Sequence, residues 1–162
     1  MTDAALGGRA DERGLLTGFL DWYRAVVARK VDGLSLEQAS RRLTASGLTP
    51  LGVVKHLAWV ERGWFQQFFA GTDIDLRPDN ASSFELGPSD TVASVVADYA
   101  TATDESRALA AAASLDDIAV NAHPIFGSVT LRWVLVHMLE ETARHAGHLD
   151  VMREALDGRT GD

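Results

Sequence analysis

The chain has no cysteine. That excludes disulfides and thiolate metal sites, so any metal here must be held by histidine and carboxylate ligands. It also fits a reducing compartment. Lysine is scarce as well, with only Lys30 and Lys55, and the net charge is -8. Neither nucleic acid nor an anionic membrane surface suits such a chain as main partner, because both demand a basic patch. No run of 18 apolar residues occurs, and the start, "MTDAALGGRADERG", lacks the apolar core of a signal peptide. The expectation is a cytoplasmic protein that spans no membrane. With 162 residues, 46% of them hydrophobic, the chain is long enough to bury a real core. We read a loose tail over 1–10 and one domain over 11–162.

What is present is mostly helical pattern. From Asp11 to Val31, residues Leu15, Leu16, Phe19, Leu20, Tyr23, Val26 and Val27 recur at threes and fours, and "DGL" stops the run. Ser35 and Gln38 have the spacing of a capping box. Thr49-Pro50 opens a second long helix, with Thr as N-cap and Pro first inside, ending at Gly71. A polar segment over 72–87 connects to a third helix, capped by Ser89 or Asp90 and fading near Ser114. "IAVNAHPIFGSV" breaks the pattern with Pro124 and Gly127 and suits a short hairpin. Ser128 or Thr130 caps a fourth helix over Leu131–Leu156, which Gly158 stops. Four long helices in one domain predict an all-α four-helix bundle. Its connections exceed the usual ~2–8 residues, which permits crossover topologies.

The fourth helix holds the unusual stretch, "LVHMLEETARHAGHLD". Taking His137 as zero, Glu141 lies at about 40°, His145 at about 80° and His148 at about 20° around the helix. Val134 and Met152 at about 60°, with Met138 and Leu156 at about 100°, place this stripe inside the apolar face. Arg153 and Glu154 fall on the far, wet side. The second helix repeats the pattern, with His56 among Val53, Val60 and Trp64, and Gly52 and Gly63 leaving room beside it. Burying imidazoles and a carboxylate is costly unless they pair or bind a metal. One histidine from one helix and a Glu-x-x-x-His pair from another can converge on a single ion. A hydrogen-bonded core network is the alternative. Other signatures are absent: no zinc-protease motif, no doubled Glu-x-x-His, no phosphate-binding loop, no nucleophile elbow. Arg24 and Arg144 are candidates for anionic substrate groups or for ion pairs on the helix surface. Trp59 and Trp64 are candidates for pocket lining or core.

Two blocks, "SGLTPLGVVKHLAWVERGWFQQFFAG" and "TLRWVLVHMLEETARHAGHLDVMREALDGRTG", together with "FLDWYRAVVARKVDGLS", resemble the DinB-like superfamily. The closer similarity is to its DUF664 branch, related to the N-terminal domain of mycothiol-dependent maleylpyruvate isomerases. The resemblance implies an up-down-down-up four-helix bundle with one divalent metal near its open end. It implies His56, Glu141 and His145 as the metal ligands. His148, one turn on, is implied as a neighbouring or substrate-facing group and fallback ligand. His137 is left outside the set, and His123 is read as a surface histidine. The implied cofactors are a divalent metal, Zn²⁺ first with Ni²⁺ or Fe²⁺ as alternatives, and a low-molecular-weight thiol such as mycothiol. The implied activity is a metal-dependent thiol transferase or isomerase acting on a small electrophile, and a homodimer is the implied assembly. The isomerases carry an additional C-terminal domain, whereas this chain ends just past the fourth helix. A non-catalytic bundle that binds metal or a small ligand in a stress response is the alternative reading.

Overall fold

The computed structural model describes residues 10–76 and 79–160. Residues 1–9 of the expected tail lie outside that range. The described elements are α1 (Glu12–Val31), α2 (Leu36–Ala39), α3 (Pro50–Glu61), a π-helical continuation of α3 (Arg62–Phe69), a 3-10 turn (Ser82–Phe84), α4 (Val92–Ala112) and α5 (Leu131–Asp157). The fold is an all-α bundle built on four long helices. Backbone bridges among the described residues are two isolated ones, Ile118 with Thr130 and His123 with Gly127. The second of these closes the small hairpin that Pro124 and Gly127 suggested. Among the described residues, no helix is long and apolar enough to cross a membrane.

Short polar side chains set the helix ends. Asp11 accepts from the Gly14 amide, Thr49 from Gly52 and Thr130 from Trp133. Ser35 and Gln38 form a reciprocal capping box. Gly158, at φ 74°, terminates α5 in the left-handed conformation that glycine adopts without steric cost. The cap of α4 differs from the expectation of Ser89 or Asp90. Thr91 takes that place, its hydroxyl accepting from the Ser94 amide at 3.0 Å. Asp90 is engaged elsewhere, with Lys55 Nζ at 2.6 Å and the Gly87 amide at 2.7 Å.

Ion pairs between helices fix their relative directions. Arg132 meets Glu12 at one end of α1 and α5, and Lys30 meets Asp150 towards the other, so these helices run the same way. Lys55–Asp90 and Arg62–Asp98 do the same for α3 and α4. The segment containing α3 runs opposite to α5, since His56 meets Glu141 and Trp64 stacks near Trp133.

The core divides into two apolar halves. One contains Val27, Leu51, Val54, Leu57, Leu149 and Met152; the other contains Leu20, Phe65, Leu131, Leu135 and Met138. Polar residues interrupt the buried faces between them: Arg24 on α1, Glu61 on α3, Thr103 and Ser106 on α4, and Thr142 on α5. Ser106 and Thr142 satisfy their hydroxyls on the Ala102 and Met138 carbonyls of their own helices.

Arg153 departs from the sequence expectation. It is 4% exposed, not on a wet face. Its guanidinium donates to the Lys30 and Asp32 carbonyls at 2.9 and 2.8 Å and pairs with Asp157. Carbonyls at a helix C-terminus lack partners of their own, and Arg153 supplies donors to those ending α1. Arg13 does the same for α4, donating to the Ala110 and Ala113 carbonyls.

Candidate metal centre

His56 reaches the interior from the middle of α3, because Val53, Val60 and Trp64 bury the same face. Gly52 lets the 3-10 turn approach: a Cβ there would lie 2.4 Å from the Phe84 carbonyl oxygen and 2.8 Å from Thr49 Oγ1. That close approach brings Ser83 and Phe84 onto the imidazole. Ser83 Oγ lies 2.7 Å from His56 Nδ1, and the Phe84 ring stacks on His56 with centroids 3.8 Å apart. Gly63 plays no comparable part, since a Cβ there would make ordinary contact with Leu76.

Glu141 and His145 come from successive turns of α5 and meet His56 from the opposite side. His56 Nε2 is 3.4 Å from Glu141 Oε1, and His145 Nε2 is 3.1 Å from the same oxygen. One ligand-capable atom from each residue lies within 4.8 Å of the others. His56 and His145 are 2% and 6% exposed. The Glu141 side chain keeps a 13% opening to solvent, where Arg144 Nη1 sits 3.4 Å from its second oxygen.

Ser83 donates its hydroxyl proton to the Asn80 carbonyl at 2.7 Å. Towards His56 it therefore acts as acceptor, and His56 Nδ1 donates. Burial pushes the His56 imidazole below its ordinary pKa, which favours the neutral ring. The neutral Nδ1–H tautomer leaves a lone pair on Nε2, and that lone pair faces a carboxylate oxygen. Glu141 is ionised, held well below the usual carboxylate range chiefly by its hydrogen bond to His145. In that tautomer two acceptors confront one another. A divalent cation satisfies that arrangement, and two imidazoles with one carboxylate form a chemically ordinary donor set for Zn²⁺, Ni²⁺ or Fe²⁺. The residues present therefore fit the group.

The other histidines separate into two situations. His148 is exposed, with Nδ1 3.4 Å from His145 Nδ1, so it can accept the proton His145 carries there when His145 Nε2 is a lone pair. Partial shielding of its ring, then the neighbouring His145 and Arg144, lower its pKa. His137 lies one turn before Glu141 but belongs to an aromatic cluster, 4.6 Å from the Trp64 ring and 5.2 Å from Trp133. His123 is not the free surface histidine of the sequence reading. Its ring stacks 4.8 Å from Trp64 and 5.0 Å from Phe126, because the Pro124–Gly127 hairpin folds it back onto the bundle. Trp64 is core, while Trp59 is half-buried, donating its indole N–H to the Leu76 carbonyl.

The two candidate arginines are both committed. Arg24 grips Glu61 with two parallel bonds of 2.7 Å and donates to Asp21 at 2.9 Å. Burial alone would lower its pKa, but Glu61 holds it above the ordinary value. Arg144 is exposed and bonded to Glu140 and Glu141. Sequence reasoning missed Glu61, Ser83 and Phe84. Glu61 had a signal, since it stands four residues from both Leu57 and Phe65 and so shares their apolar helix face. Ser83 had none, standing in a polar stretch that reads as plain loop.

No curated protein matches the chain. The family model described as mycothiol-S-transferase does, over residues 15–158, in agreement with the DinB-like resemblance; the chain belongs to the mycothiol S-transferase family.

Proposed function

We propose that this protein is a mononuclear metalloenzyme that joins a mycothiol-type thiol, through its sulfur and with release of the thiol proton, to a small electrophile, with His56, Glu141 and His145 as its metal ligands. The observation that carries the reading is the convergence of His56, Glu141 and His145, one ligand-capable atom from each lying within 4.8 Å of the others. Membership of the mycothiol S-transferase family supports the thiol and the transfer chemistry. His56, Glu141 and His145 would hold a divalent ion, which would lower the pKa of a thiol bound to it. Zn²⁺ is the first choice, with Ni²⁺ and Fe²⁺ sharing the donor preference.

The chain's own residues do the positioning. Ser83 fixes the His56 tautomer, with its own proton directed at Asn80. Phe84 clamps the ring plane by stacking. Glu141 contributes the negative charge, and Arg144 Nη1 stands 3.4 Å from its second oxygen on the solvent side. His148, solvent-accessible and next to His145, is placed to take up a proton released at the site. The chain supplies no cysteine, so the nucleophilic sulfur must arrive with the cofactor.

The test is elemental analysis of untagged protein, beside Glu141→Ala and His145→Ala variants, followed by a mycothiol conjugation assay with an electrophile panel. We expect about one ion per chain, lost in both variants. No ion after incubation with zinc, nickel or iron would overturn the metal assignment. Metal uptake without thiol turnover would favour a binding protein instead.

A further inference from the structure

A groove of about 680 Å³ lies beside the His56, Glu141 and His145 cluster, between the loop over 40–49 and the segment over 81–86. Its size falls within the ~300–1,000 Å³ usual for small-molecule sites. One wall is Phe84, the same ring that stacks on His56 and lies 5.9 Å from the His145 ring. The groove and the triad therefore share a partition one side chain thick.

Its lining is polar and balanced. Arg42 and Glu85 are exposed, line the groove, and have side chains without an ionic partner among the described residues. Ser46 and Ser40 add hydroxyls, and Phe84 and Leu48 add apolar surface. One guanidinium and one carboxylate sum to no charge, which suits a neutral ligand better than a phosphate or carboxylate. Donor, acceptor and hydroxyl groups around an apolar patch are what a polyhydroxylated ring requires, with C–H faces on the apolar surface and hydroxyls on the rim. Gly47, at φ 82°, turns the loop back over this space, a conformation other residues adopt only with strain.

We infer that the groove lined by Arg42, Ser46, Phe84 and Glu85 binds the sugar-and-cyclitol body of the thiol cofactor and directs its sulfur past Phe84 to the triad. This inference rests on the proposed thiol-transfer function. Mycothiol is an N-acetylcysteine carried on glucosamine and inositol, so its recognition must come mostly from two neutral polyhydroxylated rings. The groove supplies that recognition without touching the metal ligands.

Calorimetric titration of the zinc-loaded protein tests it with three probes: mycothiol, its sulfur-free glucosaminyl-inositol, and N-acetylcysteine. Arg42→Ala and Glu85→Ala should each weaken mycothiol and glucosaminyl-inositol at least about tenfold, the cost of a lost hydrogen bond to a charged group. They should leave N-acetylcysteine binding and zinc content at wild-type values. Arg41→Ala, a neighbour outside the groove, should change none of these. Wild-type affinity for both ring-bearing probes in Arg42→Ala and Glu85→Ala would overturn the groove assignment while leaving the metal site intact. Failure of the wild-type protein to take up zinc would instead strike the proposed function, and glucosaminyl-inositol would still test the groove because it carries no sulfur.

Discussion

Two clusters of charge are buried in this bundle within a few turns of each other, and they are built on opposite principles. Arg24 and Glu61 form a closed pair, with two 2.7 Å bonds between guanidinium and carboxylate and Asp21 taking a further donor. Donors and acceptors match, charges cancel, and Glu61 is 0% exposed. The His56, Glu141 and His145 cluster, with the His56 proton on Nδ1, turns an imidazole lone pair to a carboxylate oxygen and retains an opening on its Glu141 side. A matched set of this kind holds structure; an unmatched one asks for a ligand. The contrast separates the two polar insertions in the core more sharply than burial does, since His56 and Arg24 are both nearly inaccessible.

The comparison breaks most visibly if one partner of the closed pair is removed. Glu61→Ala leaves the buried guanidinium with only the more exposed Asp21 as partner, and the expected cost is about 3–5 kcal/mol of stability. Joint replacement, Arg24→Met with Glu61→Leu, should return to within about 1 kcal/mol of wild type, because a buried pair contributes little over apolar residues of similar volume. Denaturant unfolding of the metal-free proteins measures both. A Glu61→Ala cost below about 1 kcal/mol would mean that Arg24 finds other partners.

The open cluster should behave the other way. Glu141→Gln keeps the side-chain size and offers an amide donor where His56 Nε2 has only a lone pair. Metal-free stability should therefore change by less than about 1 kcal/mol. Added metal, however, should stabilise only the wild type, by about 2.7 kcal/mol at a free concentration a hundredfold above Kd. Thermal melts with zinc and with a chelator read both effects. An equal zinc-induced shift in Glu141→Gln would remove Glu141 from the ligand set.

How much of this was legible beforehand follows from the physics of each residue. The α5 stripe was legible because helical spacing places His137, Glu141, His145 and His148 on one side, and that side was apolar. Periodicity could not divide the stripe. His137 leaves it because the 118–127 segment, invisible to helical pattern, folds His123 and Phe126 beside Trp64 and Trp133 and makes an aromatic cluster around it. Arg153 was misplaced for a related reason: helix angle measures a side chain's direction from its own axis and knows nothing of α1 ending beside it. Helix ends were legible wherever a short polar side chain stood alone. They were ambiguous at residues 89–91, where Ser89 or Asp90 read as the cap but Thr91 forms it, Asp90 being occupied by the distant Lys55.

Two buried serines give the finest test of the comparison. Ser106 lies near the closed pair and donates to its own helix at Ala102. Ser83 lies at the open cluster and accepts from His56 Nδ1 while donating to Asn80. Each is a hydroxyl shielded from water, and Ser→Ala removes one hydrogen bond at Ser106 and two at Ser83. Their consequences for a metal should differ. Without Ser83, nothing holds the His56 proton on Nδ1, and the tautomer with Nε2 protonated becomes competitive. Loss of such an outer partner typically costs about 10–100-fold in metal affinity. Ser83→Ala should fall in that range in competition with a chromogenic chelator, while Ser106→Ala binds zinc as wild type does. Equal affinities for the two variants would mean that the His56 tautomer is fixed by something other than Ser83, and the distinction between the clusters would then rest on Glu141 alone.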